Sequence, residues 1–289
     1  MRTDYHWKDY ELIDASSGNR LERWGDVFMV RPDPQVIWQT EKTNPKWEHP
    51  DAIYFRSKSG GGHWEYNKKI PNEWIIGWED LSFIVSPTNF KHTGVFPEQA
   101  TNWAVYQQLI RNANREIRVL NLFGYTGIAS LACLSAGASV CHVDSSKGMV
   151  NQAKRNAQLS NLSEAPCRWI VDDCLKFVQR EFRRNKRYDA IIMDPPSYGR
   201  GPNGEIWKFE VNFDSFFKEC CKILSDQPLF VAINSYSTGF SPSAVGYVLQ
   251  SQFKDSGKYL IDEIGIPVTE SGLILPCGNT SLFYTGDID

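Results

Sequence analysis

The 289-residue sequence predicts an α/β fold: a seven-stranded, mostly parallel, doubly wound sheet, preceded by a small β-rich domain. Two observations carry this prediction. After about residue 100, five apolar runs alternate with segments of helical length and period, the pattern of βαβ units around a parallel sheet. The chain then closes with two consecutive strand-like runs that no helix separates, which predicts a terminal antiparallel hairpin.

The small domain is predicted over residues 1–85, where seven of the ten tryptophans lie. Short alternating segments such as RWGDVFMVRP and DAIYFRS are separated by turn signals such as Gly18-Asn19 and Gly60-Gly61-Gly62. Segments of this kind are typical of short β-strands. Exposed tryptophans would form a base-stacking surface. Core and interface packing is the favoured interpretation, because so many large rings are hard to expose.

The second domain is predicted over residues 86–289. Its five strand–helix units and the terminal hairpin supply seven strands. In chain order these are IRVLNLF (117–123), ASVCHVD (138–144), CRWIVDD (167–173), YDAIIMD (188–194), PLFVAIN (228–234), YLIDEIGIP (259–267) and TSLFYTG (280–286).

Composition and charge argue against several classes of protein. No apolar run approaches the roughly 20 residues that span a bilayer, and the polar N-terminal segment MRTDYHWKDY is not expected to be a signal peptide. The seven cysteines lack CxxC spacing, which predicts reduced thiols in a cytoplasmic protein and no metal site. The net charge is −3, but residues 86–205 hold 15 Lys and Arg against 10 Asp and Glu. That excess permits an anionic partner.

Glycines or aspartates follow four successive predicted strands. The loop NLFGYTG (121–127) comes first, and Asp144, Asp172-Asp173 and Asp194 end the next three strands. In open α/β sheets, ligands bind beyond the carboxyl ends of the strands. Asp144 is placed to accept hydrogen bonds from both hydroxyls of a ribose. Each aspartate has an alternative role as the N-cap of the next helix, but four such strand ends in a row favour a ligand-binding edge.

These motifs resemble the class I S-adenosylmethionine-dependent methyltransferases over residues 100–289. The similarity is greatest to the branch with the bacterial large-subunit ribosomal RNA methyltransferases that modify cytosine C5 or guanine N7. It rests on NLFGYTG, HVD, VDDCLKF and IIMDPPSYGRG. A further segment, FKHTGVFPEQATNW (90–103), is similar to the family's Gly-x-Phe-x-Asp-Gln-Arg element. The resemblance implies the class I methyltransferase fold and S-adenosyl-L-methionine as the cofactor.

The resemblance also implies which residues contact the cofactor. Asp144, with Ser145 beside it, takes the ribose hydroxyls, and Asp173 with Cys174 meets the adenine. Phe123, Gly124, Tyr125 and Gly127 border the methionine part, and Gly94, Phe96 and Gln99 close the pocket from outside. Asp194 is also predicted to contact the cofactor. Ala100 stands where the family has arginine. Lys91 and His92 are possible substitutes for it, and the favoured alternative is that both are ordinary surface residues.

The corner Asp194-Pro195-Pro196 is the predicted acceptor site. Methyl transfer from a sulfonium is an in-line displacement, so the enzyme mainly positions the acceptor and excludes water. The prolines fix the corner and direct its carbonyls and the Asp194 carboxylate toward the cleft. Tyr198 is placed to stack on an acceptor base, or alternatively to pack. We therefore predict Asp194, Pro195, Pro196 and Tyr198 as catalytic residues. The stretch Gly199–Gly204, with Arg200, Trp207 and Lys208, is predicted to be a mobile lid over the substrate.

The positions of the cysteines bear on the acceptor atom. Methylation of a pyrimidine at C5 requires a thiolate that adds at C6. Such enzymes place the cysteine just after the proline of the strand-4 motif or just after strand 5. Here these positions hold Ser197 and the segment INSYSTGFSP (233–242). The sequence therefore predicts a nitrogen acceptor, with Asn234, Ser235 and Tyr236 offering polar contacts.

The predicted function is methyl transfer to a base in RNA, with ribosomal RNA favoured. The net acidity keeps a methyltransferase for a small molecule or a protein as the alternative, and a non-catalytic cofactor-binding module as a remote one. An NAD-dependent oxidoreductase is disfavoured, because the glycine spacing of a dinucleotide site is absent. No metal and no membrane partner is predicted. Residues 1–85 show no basic stripe for RNA.

Overall fold

A computed structural model describes residues 1–57, 61–88, 91–200, 205–237, 239–254 and 256–288 of the chain. These residues form two compact units: Met1–Thr101 with Ile264–Cys277, and Asn102–Glu263 with Gly278–Asp289. The first unit extends past the predicted boundary at residue 85 and includes the tip of the terminal hairpin. The division into domains of residues 1–85 and 86–289 stays a prediction.

The first unit is built from short β-strands, as predicted. Strands β1 to β5 form one sheet in chain order, in which β3 and β4 are parallel and the other pairs antiparallel. A separate antiparallel pair, β6 and β7, follows. The strands are β1 (Tyr10–Ser16), β2 (Asn19–Trp24), β3 (Val27–Pro32), β4 (Ala52–Arg56), β5 (Gly62–Tyr66), β6 (Trp74–Trp78) and β7 (Leu81–Val85). Short 3₁₀ turns lie at Pro45–Trp47 and Pro97–Gln99.

The tryptophans of this unit serve its packing. Trp24 and Trp78 are among the largest fully buried side chains. Six of the seven indole N–H groups donate to acceptors within the unit: those of Trp7, Trp38, Trp47, Trp64, Trp74 and Trp78. An indole held in this way is fixed in the architecture. The packing interpretation therefore accounts for these residues without a base-stacking surface.

The second unit contains the predicted seven-stranded sheet, in the order β10-β9-β8-β11-β14-β16-β15. The five strands from β10 to β14 are parallel, and β16 pairs antiparallel with β14. The strands are β8 (Arg118–Leu122), β9 (Ser139–Asp144), β10 (Cys167–Val171), β11 (Ala190–Met193), β14 (Phe230–Ser235), β15 (Lys258–Pro267) and β16 (Ile274–Tyr284). The seven-stranded prediction and its terminal hairpin are confirmed.

The helices are α1 (Ala100–Asn112), α2 (Ile128–Ser135), α3 (Lys147–Leu159), α4 (Cys174–Arg183), α5 (Phe209–Cys221) and α6 (Pro242–Phe253). Helix α1 precedes β8, α2 to α5 connect the parallel strands, and α6 leads from β14 to β15. The chain moves outward from β8 to β9 and β10, and then returns to β11 and moves the other way to β14. Because such crossovers are right-handed, this reversal places the two groups of helices on opposite faces of the sheet. Every residue of β11 and β14 is buried, as expected for strands covered on both faces.

Helix α1 and a small hairpin were not predicted. Strands β12 (Tyr198–Arg200) and β13 (Ile206–Lys208) pair as an antiparallel hairpin after the acceptor corner. Residues 201–204, which belong to the predicted lid, lie outside the described residues, and the lid stays a prediction. Within the described part of the chain, no helix is both long and apolar enough to cross a membrane.

Candidate active site

Four strand ends of the second unit define the candidate site. Strands β8, β9, β10 and β11 are parallel neighbours, so their carboxyl ends share one edge of the sheet. The loop 123–127 follows β8, and Asp144, Asp173 and Asp194 lie at the ends of the next three strands. The strand order reverses between β8 and β11, which is where open α/β sheets bind their ligands. The edge therefore brings together the residues predicted from this part of the sequence.

The loop after β8 has an unusual backbone. Phe123 and Tyr125 have φ angles of 55° and 51°, in the left-handed region that residues other than glycine rarely adopt. Gly124 between them donates its N–H to the carbonyl oxygen of Val143 at 3.0 Å. A Cβ at Gly124 would lie 2.4 Å from Cε1 of His142. Only glycine allows the loop to lie this close to β9.

His142 supports that loop from below and was missed by the sequence analysis. The residue is fully buried, and burial lowers its pKa to about 4. Its Nδ1 lies 3.0 Å from Oγ of Ser130, and Asn121 donates to the same Oγ at 2.9 Å. Because the Ser130 hydroxyl accepts from Asn121, we assign its own O–H as the donor to an unprotonated Nδ1 of a neutral His142 ring. Asn121 and His142 are register partners on β8 and β9. A polar residue in each of two apolar strand runs was therefore the available signal.

The Asp144 carboxylate is held in place by backbone groups. Tyr125 N–H donates to its Oδ2 at 2.9 Å, and Ser146 N–H donates to its Oδ1 at 2.8 Å. The side chain of Ser146, not Asp144, is the N-cap of α3. A carboxylate has about four acceptor positions, so each oxygen keeps capacity for one more donor. This arrangement fits a pair of neighbouring ribose hydroxyls, with the exposed Ser145 beside it.

At the end of β10, unlike at the end of β9, the predicted ligand-binding aspartate is itself a helix N-cap. The carboxylate of Asp173 accepts the N–H of Lys176 at 2.9 Å and is the N-cap of α4. Its neighbour Asp172 forms an ion pair with Arg180 and also accepts the N–H of Asp173. The capping role is thus observed for Asp173. Its contact with adenine stays a prediction, for which one carboxylate oxygen remains after capping.

Cys174 is a structural part of the loop after β8. Its Sγ accepts the N–H of Phe123 at 3.4 Å. The side chain is buried, and burial raises the pKa of the thiol far above its ordinary value. A thiol of this kind stays protonated at neutral pH and is a poor nucleophile. Its predicted contact with adenine stays a prediction.

The acceptor corner is fixed by an aromatic residue. The indole N–H of Trp207 donates to the carbonyl oxygen of Pro196 at 2.6 Å. Its ring lies 5.8 Å from that of Phe123 and 5.5 Å from that of Phe216, measured between centroids. The corner, the loop after β8 and the hairpin β12–β13 are therefore one packed group. Of the carbonyls expected to face the acceptor, that of Pro196 is already occupied.

The other predicted catalytic residues belong to this corner or follow it directly. Asp194 is half-buried, Pro195 is buried and Tyr198 is half-exposed at the start of β12. Their contact with an acceptor stays a prediction.

Two serines occupy the neighbourhood where a C5-methylating enzyme has its cysteine. The hydroxyl of Ser237, after β14, donates to the hydroxyl of Ser197 at 2.9 Å. This contact links the loop after β11 to the loop after β14. The two loops that carry the alternative cysteine positions therefore meet, and at the point where they meet the chain has two hydroxyls.

Asn234 is less available to an acceptor than the sequence suggested. It is buried, and its Oδ1 accepts from Asn102 at 3.2 Å and from Thr280 at 2.8 Å. Ser235 is also buried and accepts the N–H of Ser237 at 3.3 Å. These contacts serve the sheet. Of the three residues expected to offer polar contacts, only Tyr236 is not fully buried.

Gly94, Phe96 and Gln99 belong to the first unit. Gly94 has a φ of 95°, and Phe96 precedes the 3₁₀ turn in which the N–H of Gln99 donates to its carbonyl oxygen. Their role toward the cofactor stays a prediction. Burial is the main cause that lowers the pKa of His92, to about 4. Substitution of Lys91 or His92 for the family's arginine at Ala100 stays a prediction.

The family model for S-adenosylmethionine-dependent methyltransferases matches residues 55–210, more than half of the chain. Among proteins with similar sequences, ribosomal RNA large subunit methyltransferase K/L of Shewanella frigidimarina is 29% identical over 182 residues, 61% of this chain and 25% of its own length. Ribosomal RNA large subunit methyltransferase I of Pseudoalteromonas atlantica is 32% identical over 130 residues, 45% of this chain and 32% of its own length. The chain thus spans only a quarter to a third of these relatives.

A solved structure is similar over nearly the whole chain. The crystal structure of a SAM-dependent methyltransferase from Agrobacterium tumefaciens superposes with a TM-score of 0.92 at 35% sequence identity, covering 98% of this chain and 92% of that one. The family match, this similarity and the carboxylate and glycine loop at the switch point agree. The chain belongs to the S-adenosylmethionine-dependent methyltransferase family.

Proposed function

We propose that this protein transfers a methyl group from S-adenosylmethionine to a base nitrogen in ribosomal RNA. The names of the two relatives, both large-subunit ribosomal RNA methyltransferases, support RNA as the substrate. The family membership supports the cofactor. We also place the protein in the cytoplasm, since all seven cysteines are free thiols, which suits a reducing compartment.

The cofactor, when bound, supplies an already activated methyl group. The chain's own residues bind the cofactor and orient the acceptor. Asp144 accepts the two ribose hydroxyls with the oxygen capacity left by Tyr125 and Ser146. The loop 123–127, held to β9 by Gly124, borders the methionine part. Trp207 fixes the corner at Pro196, so that an acceptor base meets a rigid surface and the reaction gains from alignment.

The acceptor is proposed to be a nitrogen, and one observation carries this: Ser197 and Ser237 meet where the two loops that hold a catalytic cysteine in C5 enzymes come together. Cys174, which contacts the loop after β8, is buried and has a raised pKa. C5 methylation needs a thiolate that adds to the ring, whereas an amine or ring nitrogen attacks the methyl directly. Asp194 is proposed to stabilise the positive charge that develops on that nitrogen.

The experiment is mass spectrometry of nucleosides from purified large-subunit ribosomal RNA of a strain that lacks the gene. We expect one base-N-methylated nucleoside to disappear. It should return when the wild-type gene is supplied and stay absent with the Asp144→Ala variant. Loss of a 5-methylpyrimidine would overturn the nitrogen acceptor. An unchanged ribosomal RNA would overturn the substrate and favour a small molecule or protein acceptor.

A further inference from the structure

A dense run of positive charge lies at the end of α4 and has no part in the site described above. The segment REFRRNKR (180–187) contains five arginines and lysines, Arg180 included, and one acid in eight residues. Arg118 and Arg168 lie beside it, since they line the same cavity as Lys186 and Arg187. We call the following six residues the basic face: Arg118, Arg168, Arg183, Arg184, Lys186 and Arg187.

Two buried carboxylates neutralise part of this charge from the protein side. Glu181 pairs with Arg168 at 3.0 Å and with Arg184 at 3.7 Å. Asp189 pairs with Arg118 at 3.5 Å and with Arg115, which is outside the basic face, at 3.0 Å. The side chains of Glu181 and Asp189 are nearly inaccessible, whereas those of Arg168, Arg184 and Arg118 are at least half exposed. The solvent therefore faces the guanidinium groups and not the acids.

The other cations have no acidic partner. Among the described residues, no carboxylate lies within ion-pair distance of Arg183, Lys186 or Arg187. Arg183 and Lys186 are exposed, and Arg187 stacks over the half-exposed ring of Phe182. Cations in the last turn of a helix are favoured by the helix dipole, which accounts for Arg183. Lys186 and Arg187 lie beyond the helix end and are not explained in this way.

The surface is concave and deep enough for a phosphate group. A cavity of about 450 Å³ opens between the beginnings of β8, β9 and β10, and its lining includes Ser139, Cys167 and four cations of the basic face. An arginine fork binds phosphate oxygens in two parallel hydrogen bonds. The face thus combines an excess of unpaired cations with a recess that holds hydroxyl and guanidinium donors.

The basic face lies on the opposite edge of the sheet from the candidate site. Arg118, Ser139 and Cys167 are the first residues of their strands, whereas Asp144 ends β9. Helix α4 runs between the two edges for ten residues, which is about 15 Å. A small acceptor cannot contact both edges. A long polyanion can.

We propose that the basic face binds backbone phosphates of the substrate RNA, far from the base that is methylated. This inference rests on the proposed function. Phosphate contacts carry no sequence information, but they position the nucleic acid and supply much of the affinity. The face would therefore hold a folded RNA in register while the acceptor base enters at the opposite edge.

The test compares two triple variants with the wild type. The first is Arg183→Gln, Lys186→Gln and Arg187→Gln. The matched control is Lys218→Gln, Lys222→Gln and Lys258→Gln, which removes the same charge from exposed cations that already pair with acids. Affinity for ribosomal RNA is measured at several salt concentrations, together with the kinetics of methyl transfer. Because Arg187 contacts Phe182, the double variant Arg183→Gln, Lys186→Gln serves if the triple variant fails to fold.

The first variant should bind RNA about tenfold to hundredfold more weakly, with a salt slope smaller by about two to three. Its KM for RNA should rise while kcat and cofactor affinity stay unchanged, and the control should resemble the wild type. If the wild type methylates RNA but both variants bind it equally well, the inference is wrong and the proposed function stands. If the wild type methylates no RNA, the proposed function fails, and the inference with it. A different outcome is that the wild type binds vesicles with anionic phospholipid, that only the first variant loses this binding, and that RNA affinity is the same in all three proteins. The basic face would then bind a membrane surface and not RNA, and the inference would be wrong.

Discussion

The indole N–H of Trp207 donates a hydrogen bond of 2.6 Å to the carbonyl oxygen of Pro196. This contact joins the hairpin β12–β13 to the corner that follows β11, and the same ring packs against Phe123 of the loop after β8. Two proline rings fix the dihedrals of the corner, and the indole fixes its position. The rigidity that the sequence suggests for Asp194-Pro195-Pro196 therefore depends on a residue eleven positions further along the chain.

Trp207→Phe should slow methyl transfer while preserving cofactor affinity. The variant keeps an aromatic ring but removes the donor, so the corner is free to shift, and small misplacements of an acceptor cost about tenfold to a hundredfold in rate. Single-turnover kinetics and calorimetric cofactor titration measure the two effects. Trp38→Phe is the matched control, because it removes an indole bond of 2.7 Å to a backbone carbonyl in the first unit. Equal turnover of the two variants would assign Trp207 a merely structural role.

Gly124→Ala should disrupt cofactor binding. The added Cβ would collide with the buried ring of His142, and overpacking of this kind costs about 1 to 3 kcal/mol. We expect a lower melting temperature and a loop displaced from β9. Gly148→Ala is the control in the same unit, since its Cβ would meet nothing closer than 3.7 Å and alanine in a helix stabilises by about 0.5 to 1 kcal/mol. If Gly124→Ala bound the cofactor with unchanged affinity, the loop after β8 would have no role in cofactor binding.

Asp144→Ala should weaken S-adenosylmethionine binding by about 2 to 3 kcal/mol, because a charged acceptor of two hydroxyls is lost. Asp173→Ala provides the contrast. Its N-cap bond to Lys176 is observed, so this variant should lose about 1 kcal/mol of unfolding free energy and less cofactor affinity than Asp144→Ala. Calorimetry and thermal unfolding on the same preparations test both expectations. An Asp144→Ala variant that is folded and binds normally would contradict the ribose assignment.

No cysteine should be required for turnover. Cys174→Ala is the critical variant, since this thiol contacts the loop after β8, and Cys133→Ala is a control for a buried thiol within α2. Each should lose some stability by leaving a small cavity and keep its rate at saturating cofactor. A folded variant that binds cofactor but is about a thousandfold slower would indicate covalent catalysis and a carbon acceptor.

Most of the fold could be predicted because parallel strands that are covered on both faces appear in the sequence as continuous apolar runs. All seven predicted strands were found; most ends are shifted by one or two residues, and β16 begins six residues earlier than predicted. The hairpin β12–β13 was missed, because its strands are three residues long and the segment contains the glycines of the predicted lid. Short strands carry too little periodicity to be recognised.

The site was less predictable than the fold, because its supporting contacts join distant parts of the chain. The position of Asp144 follows from its place at a strand end. The capping bond of Asp173 was foreseen only as an alternative, because a strand end and a helix start coincide there. The ring of His142 under Gly124 and the indole of Trp207 on Pro196 depend on packing between elements. Local sequence does not reveal such contacts.

Asp194→Asn should lower the rate of methyl transfer by about two to three orders of magnitude, as is typical when one well-placed polar group is lost. The substitution keeps the shape of the side chain but removes the charge that stabilises a positively charged nitrogen. An interaction made only in the transition state affects kcat and not cofactor affinity. A variant with a lower melting temperature and a normal rate would show that Asp194 only supports the chain after β11.

The most direct test is methylation of large-subunit ribosomal RNA by the purified protein, with the product nucleoside identified by mass spectrometry. Wild type and Asp194→Asn are compared in single turnovers at saturating S-adenosylmethionine. We predict a base-N-methylated nucleoside, formed about a hundredfold to a thousandfold more slowly by the variant. A 5-methylpyrimidine as the product, or no methyl group in the RNA, would contradict the account.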